Sequence, residues 1–152
     1  SFPYPTLFRS HCDGVIFAAP LYFMGVPARG KALIDRLQSF WTAKHLRGMD
    51  LFGSRTRPGF LISCAGHAFG PGGSDVFRGL EDTMCYVFDS LGLSKWGSLL
   101  ARRMEDSGDA AREGSLSDRA YHMGTEFARA CFSPHPPEKN GNIIAHNGKI
   151  IV

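Results

Sequence analysis

The sequence predicts an α/β fold in which a parallel sheet carries helices on both faces. Three short apolar runs have the length and composition of strands buried on both faces, and they occupy residues 14–19, 59–64 and 96–101. A segment with helical periodicity follows each run, so strand and helix alternate along the chain. Such alternation is typical of right-handed strand–helix–strand crossovers and therefore of a doubly wound parallel sheet.

Three helical patterns follow these strands. The first begins at Pro27, where the missing N–H is tolerated. Its apolar stripe contains Leu33, Ile34, Leu37, Phe40 and Trp41. The second helix is predicted to be capped by Ser74 and to end at Gly92, a residue suited to the left-handed conformation after a helix. The third is predicted to be capped by Ser115 or Ser117, which gives one helix after each strand.

The length and the composition allow one domain. The chain has 152 residues, of which 43% are hydrophobic and 20% charged, as in ordinary globular proteins. We expect a partial α/β domain over residues 11–132 and a linker with a hairpin tail over residues 133–152. In that tail, Asn147 and Gly148 stand between Ile-rich flanks, which is a strong signal for a type I′ β-hairpin. Residues 1–10 have no structural period and resemble a translated sequencing adapter, so we expect a non-native or irregular arm.

The charge and the cysteine content argue against several classes of partner. The net charge is +3 and the 17 Lys and Arg residues are scattered, so we expect no nucleic-acid partner. No apolar run approaches the ~20 residues of a membrane-spanning helix, so we expect no membrane partner. The four cysteines lie far apart and favour a reducing, cytoplasmic location. The six histidines lack ligand spacing, and we therefore expect no metal site.

Candidate functional residues follow the first two predicted strands, in residues 20–27 and 65–73. Open parallel sheets bind ligands beyond the carboxyl ends of their strands. Both segments combine small residues, which allow close backbone approach, with aromatic side chains that could flank a flat ring. The glycines match neither GxGxxG nor GxxxxGK[ST], and Phe23 and Phe69 could simply fill the core.

Two further residues near the second segment could carry chemistry of their own. Cys64 ends a predicted strand, but the position six residues later is Gly70 and not the Arg of a cysteine-phosphatase loop. No basic residue other than His67 lies close in sequence to activate the thiol. We therefore expect Cys64 to be a half-buried structural residue. His67 could act as a general acid, although a plain loop position is the more common interpretation.

Residues 13–36 resemble the central signature of the NADPH-dependent FMN reductase family, within the flavodoxin-like superfamily. The segment reads DGVIFAAPLYFMGVPARGKALIDR, a strand followed by Pro, an aromatic residue, a short glycine-containing loop and a helix. The positions that agree in order are Pro20, Tyr22, Lys31, Ile34, Asp35 and Arg36. The later strand, glycine-rich loop and helix follow in the same order, so the resemblance extends over about residues 13–131.

The resemblance implies a flavodoxin-like, doubly wound parallel sheet that lacks its first two strands. Family members begin with a strand and a Ser/Thr-rich loop whose amides and helix dipole hold the FMN phosphate. No segment before Asp13 has that character. We therefore expect the strand at residues 14–19 to form a bare apolar edge, and we expect the chain to self-associate as a homo-oligomer.

The resemblance also implies a flavin-dependent oxidoreductase that transfers electrons from NAD(P)H through FMN to a small acceptor such as a quinone or a free flavin. The residues it assigns to the cofactor are Pro20, Leu21, Tyr22, Phe23, Met24, Gly25, Val26, Ala65, Gly66, His67, Gly70, Gly72 and Gly73. It requires no catalytic side chain, because the flavin carries the hydride chemistry. Two alternatives stay open: a flavodoxin-type electron-transfer module, which the +3 charge disfavours, and a non-functional fragment without ligand.

Overall fold

The computed structural model describes residues 12–49, 51–53, 55–133, 142–146 and 149–151, and the fold is α/β. In chain order the elements are β1 (Val15–Pro20), α1 (Ala28–Arg36), α2 (Gln38–His45), β2 (Arg57–Ala65), α3 (Arg78–Ser90), β3 (Leu93–Arg102), α4 (Asp109–Arg112), α5 (Gly114–Phe132), β4 (Asn142–His146) and β5 (Lys149–Ile151). A single 3-10 turn (Pro71–Gly73) lies between β2 and α3.

The strands described here form one sheet in the order β1-β2-β3-β4-β5. The first three strands are parallel neighbours, with Val15 beside Gly59 and Leu61 beside Ser98. β4 runs parallel to β3, and β5 pairs with β4 in antiparallel orientation, on either side of the predicted hairpin turn. The predicted parallel α/β sheet is therefore confirmed. Asn147 and Gly148 of that turn lie outside the described residues, as do residues 1–10 and 134–141.

Helices cover both faces of the sheet, as the sequence predicted. Phe60 and Leu61 are neighbours in β2, so their side chains point to opposite faces. Leu61 belongs to the core beneath α1, α2 and α3, whereas Phe60 belongs to the core beneath α5. On the α5 side, Phe60, Trp96 and Phe127 have ring centroids between 5.2 and 5.5 Å apart. Burial of each large apolar side chain contributes ~1.5–3 kcal/mol, which makes these two cores the main source of stability.

β1 differs from the predicted strand that is buried on both faces. Its side chains alternate between half-buried and exposed, and Ile16 is 51% exposed while Phe17 packs against the core on the α3 side. The reason is its position: among the described strands, β1 has only β2 as a neighbour, and α5 packs against β2 and β3. β1 is therefore an apolar edge strand. Self-association of the chain through this edge stays a prediction.

The first predicted helix is in fact two helices that meet at Leu37. The Leu37 amide donates to the carbonyl of Ile34, three residues back, so the chain tightens before it continues as α2. This change of direction buries Leu37 and lets Phe40 stack on Phe52 at 5.7 Å between ring centroids. Packing against the core thus overrides the continuous helical period of the sequence.

The predicted serine caps were wrong, and the residues that precede α3 and α5, Phe77 and Glu113, make no side-chain cap hydrogen bond. Ser74 donates to the carbonyl of Pro71, while Asp75 accepts a hydrogen bond of 3.0 Å from the amide of Phe77 before α3. Before α5 the chain forms the short helix α4, and Ser115 and Ser117 lie inside α5. The Asp75 carboxylate thus forms a local turn just before α3, a common use of an Asp side chain.

Candidate functional site

The carboxyl ends of β1 and β2 bring the two candidate segments together. The first turn comprises residues 20–27 and the glycine-rich turn comprises residues 65–73. The amide of Leu21 donates to the carbonyl of Cys64 at 2.8 Å, which joins the two segments at their bases. Further out, a Cβ on Gly70 would lie 3.8 Å from the terminal methyl group of Met24. The two turns are therefore in contact along one edge of the sheet.

The first turn is a tight turn with an unusual backbone. Tyr22 and Gly25 exchange two backbone hydrogen bonds of 2.9 Å, and between them Phe23 and Met24 have φ values of 48° and 61°. Two consecutive positive φ angles are typical of a type I′ turn, which Asn-Gly usually forms. For a side chain with a Cβ this conformation costs ~1–2 kcal/mol per residue. Here the chain adopts this conformation although Phe and Met occupy the two positions.

The strained turn displays aromatic side chains in place of burying them. Tyr22 is 60% exposed, Phe23 is fully exposed, and Phe69 of the glycine-rich turn is 51% exposed. The interpretation that Phe23 and Phe69 fill the core is therefore wrong. Strained backbone is common at functional sites, and exposed aromatic side chains make this edge a candidate binding surface.

The glycine-rich turn obtains its shape from glycines. Gly72 and Gly73 have φ values of 65° and 77°, which glycine adopts without strain. The amide of Gly70 donates to the carbonyl of Ser74 at 2.8 Å and closes the turn. A Cβ on Gly70 would lie only 2.7 Å from the hydroxyl of Ser74, so a larger residue here would displace that side chain. The turn consequently presents backbone, with little side chain, to its surroundings.

Arg102 anchors the glycine-rich turn, and it is not among the residues predicted for the site. The predicted strand ended at residue 101, whereas Arg102 is the last residue of β3 and is buried. Its Nη1 donates to the carbonyl of Ala68 at 2.6 Å, and its Nη2 donates to Asp75 at 2.8 Å. The guanidinium also faces the rings of Phe69 and Phe77, with 5.9 and 5.2 Å between its carbon and the ring centroids. A charged residue directly after a buried apolar strand was the available signal.

Asp75 is held in its ionised form by these contacts. Partial burial raises the pKa of its carboxyl, but the hydrogen bonds from the Phe77 amide and from Arg102 outweigh that effect and leave the pKa below its usual value. The charges of Asp75 and Arg102 therefore compensate each other beneath the turn.

A third segment reaches the same edge beyond β3. The amide of Met104 donates to the carbonyl of Ala65 at 2.9 Å, and a Cβ on Gly66 would lie 3.7 Å from the Cβ of Glu105. Arg103 has a φ of 61°, so the non-glycine residues with positive φ in the described ranges all lie at carboxyl ends of strands. The sequence did not single out this segment, because only tertiary contacts bring it to the site.

The predicted site residues fall into two groups. Leu21 and Val26 pack against the core and Ala65 is buried, so these three contribute backbone to the edge. The other predicted residues are exposed or half-buried there: Pro20, Tyr22, Phe23, Met24, Gly25, Gly66, His67, Gly70, Gly72 and Gly73. Cys64 is half-buried against the α5 core, which confirms its expected structural position.

The His, Cys, Asp and Glu side chains described do not gather into a group of three that could hold a metal ion. None of the helices in the described ranges combines the length and the apolar content of a membrane-spanning segment.

The geometry defines an α/β protein with a candidate ligand-binding edge at the carboxyl ends of its parallel strands. No protein-family model and no curated protein matches the sequence. A solved structure with a similar fold is the thermophilic tryptophan halogenase from Streptomycin violaceusniger, with a TM-score of 0.53 and 16% identity over 78% of this chain and 70% of that chain. At this identity the similarity shows the fold alone.

The resemblance to the NADPH-dependent FMN reductase family is corrected by these comparisons. No family model matches, and the similar structure is described as a halogenase. The matched positions have structural explanations instead. Lys31 and Asp35 form an exposed ion pair one helical turn apart, and Ile34 packs against the core. A strand, a tight turn and an amphipathic helix therefore account for the pattern without a shared family.

Proposed function

We propose that the chain is the flavin-binding part of an oxidoreductase, in which the flat flavin ring lies against the first turn and the glycine-rich turn. The observation that supports this most is the contact between the two turns, each of which exposes aromatic side chains at the ligand edge of a parallel sheet. Phe23 is exposed at the cost of backbone strain, which a purely structural turn would not need.

The residues present fit a flat, largely apolar ligand. Tyr22, Phe23 and Phe69 would contact the ring, since aromatic faces and edges pack well against another planar system. Gly72 and Gly73 have no atom within 4 Å of where a Cβ would stand, so a ligand could approach the backbone closely there. These features favour a ring over a branched or strongly charged ligand.

The finer assignments are FMN as the flavin, NAD(P)H as the electron donor and a small acceptor such as a quinone or a free flavin. When bound, the flavin supplies the hydride and electron transfer, and this chain positions its ring and shields one side of it from water. The solved structure with the similar fold is described as an enzyme, which supports the coarser proposal that this protein is one.

Binding and turnover test this proposal separately. The full chain is titrated with FMN, with FAD and riboflavin in parallel, and flavin fluorescence is followed; NADPH and NADH are then added to the loaded protein. We expect saturable binding and oxidation of the nicotinamide. Phe23→Ala and Phe69→Ala should weaken binding, while Phe132→Ala, at an exposed ring on α5, should not.

Two other outcomes of these measurements would contradict the proposal in part or in full. Binding without nicotinamide oxidation would identify an electron-transfer module and contradict the enzyme. Absence of flavin binding by the wild-type chain would contradict the proposed function itself.

A further inference from the structure

We propose that Arg102 is a positioning residue, which holds the glycine-rich turn ready for a flavin ring and acts through the turn without touching the ligand. This inference rests on the proposed flavin site. It adds a residue from β3 to a site that the sequence assigned to the segments after β1 and β2 only.

The hydrogen bonds of Arg102 fix the turn from below. Its side chain is only 6% exposed, and its two terminal nitrogens donate in different directions, to the Ala68 carbonyl and to the Asp75 carboxylate. A guanidinium is planar and rigid, so two such bonds define the position of the turn relative to β3. The glycines of the turn have little conformational preference of their own, and the arginine therefore supplies the order.

The same guanidinium orients the aromatic ring that the turn exposes. Arg102 faces the rings of Phe69 and Phe77, of which Phe77 is buried and Phe69 is half exposed. A cation beside an aromatic face is attracted to it, most strongly when water is excluded. Arg102 therefore contacts Phe69 from the protein side, while the exposed part of Phe69 stays available to a ligand.

The charge arrangement distinguishes positioning from direct binding of an anion. Asp75 already compensates the charge of Arg102 at 2.8 Å, and its own negative charge would repel a ligand phosphate. Loss of Arg102 should therefore weaken a phosphate-free flavin as much as FMN. An arginine that bound the phosphate would affect FMN alone.

The test compares two ligands and one backbone measurement. Dissociation constants for lumiflavin and FMN are measured for the wild type, Arg102→Ala, Asp75→Asn and the control Arg112→Ala, an exposed arginine on α4. Amide hydrogen exchange of residues 66–74 is measured without ligand. We expect Arg102→Ala to weaken both ligands about tenfold, as loss of a charged hydrogen bond implies, and to speed exchange in residues 66–74. Added methylguanidinium should partly restore binding, whereas equal sodium chloride should not.

Several outcomes would overturn the inference. A loss confined to FMN would make Arg102 a phosphate ligand, and unchanged exchange in residues 66–74 would show that it does not order the turn. If Arg102→Ala does not fold, Asp75→Asn decides, because it keeps an acceptor and should show a smaller change in the same direction. If the wild type binds neither flavin, the proposed function fails, while the exchange comparison still tests whether Arg102 orders the turn.

Discussion

The two turns at the candidate ligand-binding edge expose aromatic side chains by opposite means. In the first turn, Phe23 and Met24 accept positive φ angles themselves, and two backbone hydrogen bonds close the turn. In the glycine-rich turn, Gly72 and Gly73 take the positive φ angles without strain, and a buried arginine from another strand provides the order. A short turn can thus be held by its own backbone, whereas a longer glycine loop depends on a side chain from outside.

The largest expected effect concerns the arginine of the glycine-rich turn. Arg102→Ala removes two hydrogen bonds and leaves Asp75 without its cationic partner, so the free energy of unfolding should fall by about 2–3 kcal/mol. Urea denaturation measures it. Arg112→Ala is the control, and its exposed ion pair with Asp109 should contribute nothing measurable. An effect of Arg102→Ala as small as that of the control would show that the turn holds itself.

The next effect has the opposite sign and concerns the first turn. Replacing Phe23 and Met24 with Asn and Gly installs residues that favour positive φ, so the free energy of unfolding should rise by about 1–2 kcal/mol. The same double variant should bind flavin more weakly, because the exposed ring is gone. Thermal unfolding and flavin titration measure the two effects. A destabilised double variant would show that Phe23 contributes packing and not strain.

A smaller effect separates the free-energy cost of a positive φ angle from the cost of fitting an added side-chain atom. Gly72→Ala should lower the free energy of unfolding by about 1 kcal/mol, because φ is 65° and an added Cβ meets no atom within 4 Å. Gly124→Ala is the matched control, since Gly124 lies inside α5 with equally open space and no positive φ. Helix propensity should make that variant more stable by roughly 0.5–1 kcal/mol. Equal effects at the two positions would contradict the conformational explanation.

The smallest effect is the acid dependence of the Asp75 contact. The pKa of Asp75 is lowered in the folded state, so its contribution is fully present above the ordinary carboxyl value of 3.8 and is lost as the pH falls through the folded pKa. Asp89 behaves in the same way. Burial raises the pKa of its carboxyl, but hydrogen bonds from Lys44 and His45 outweigh that effect and leave the pKa below its usual value. In acid titrations of stability, Asp75→Asn and Asp89→Asn should each remove part of the slope below pH 3.8. An unchanged slope in Asp75→Asn would contradict the ionic contact.

Local signals in the sequence predicted much of the fold. Apolar runs located β1, β2 and β3, and Gly92 has the positive φ expected after a helix. The bend at Leu37 could not be predicted, because core packing and not propensity causes it. The site was likewise predicted only in part. The ends of the apolar runs showed where the two turns begin, but the contact between Arg102 and Asp75 joins residues 27 positions apart and left no local signal. The strain at Phe23 and Met24 left no signal in the sequence, since neither Phe nor Met favours a positive φ angle.

Hydrogen exchange with and without FMN tests most directly whether one flat ring lies against both turns. Amide exchange is followed over the full chain at saturating FMN. We predict slower exchange in both residues 20–27 and residues 65–73, with no change around Cys12 and Arg57, which lie at the amino ends of β1 and β2, opposite to the two turns. The proposal of one ring against both turns would be contradicted by protection of only one turn, by protection near Cys12 and not at the turns, or by no protection at all.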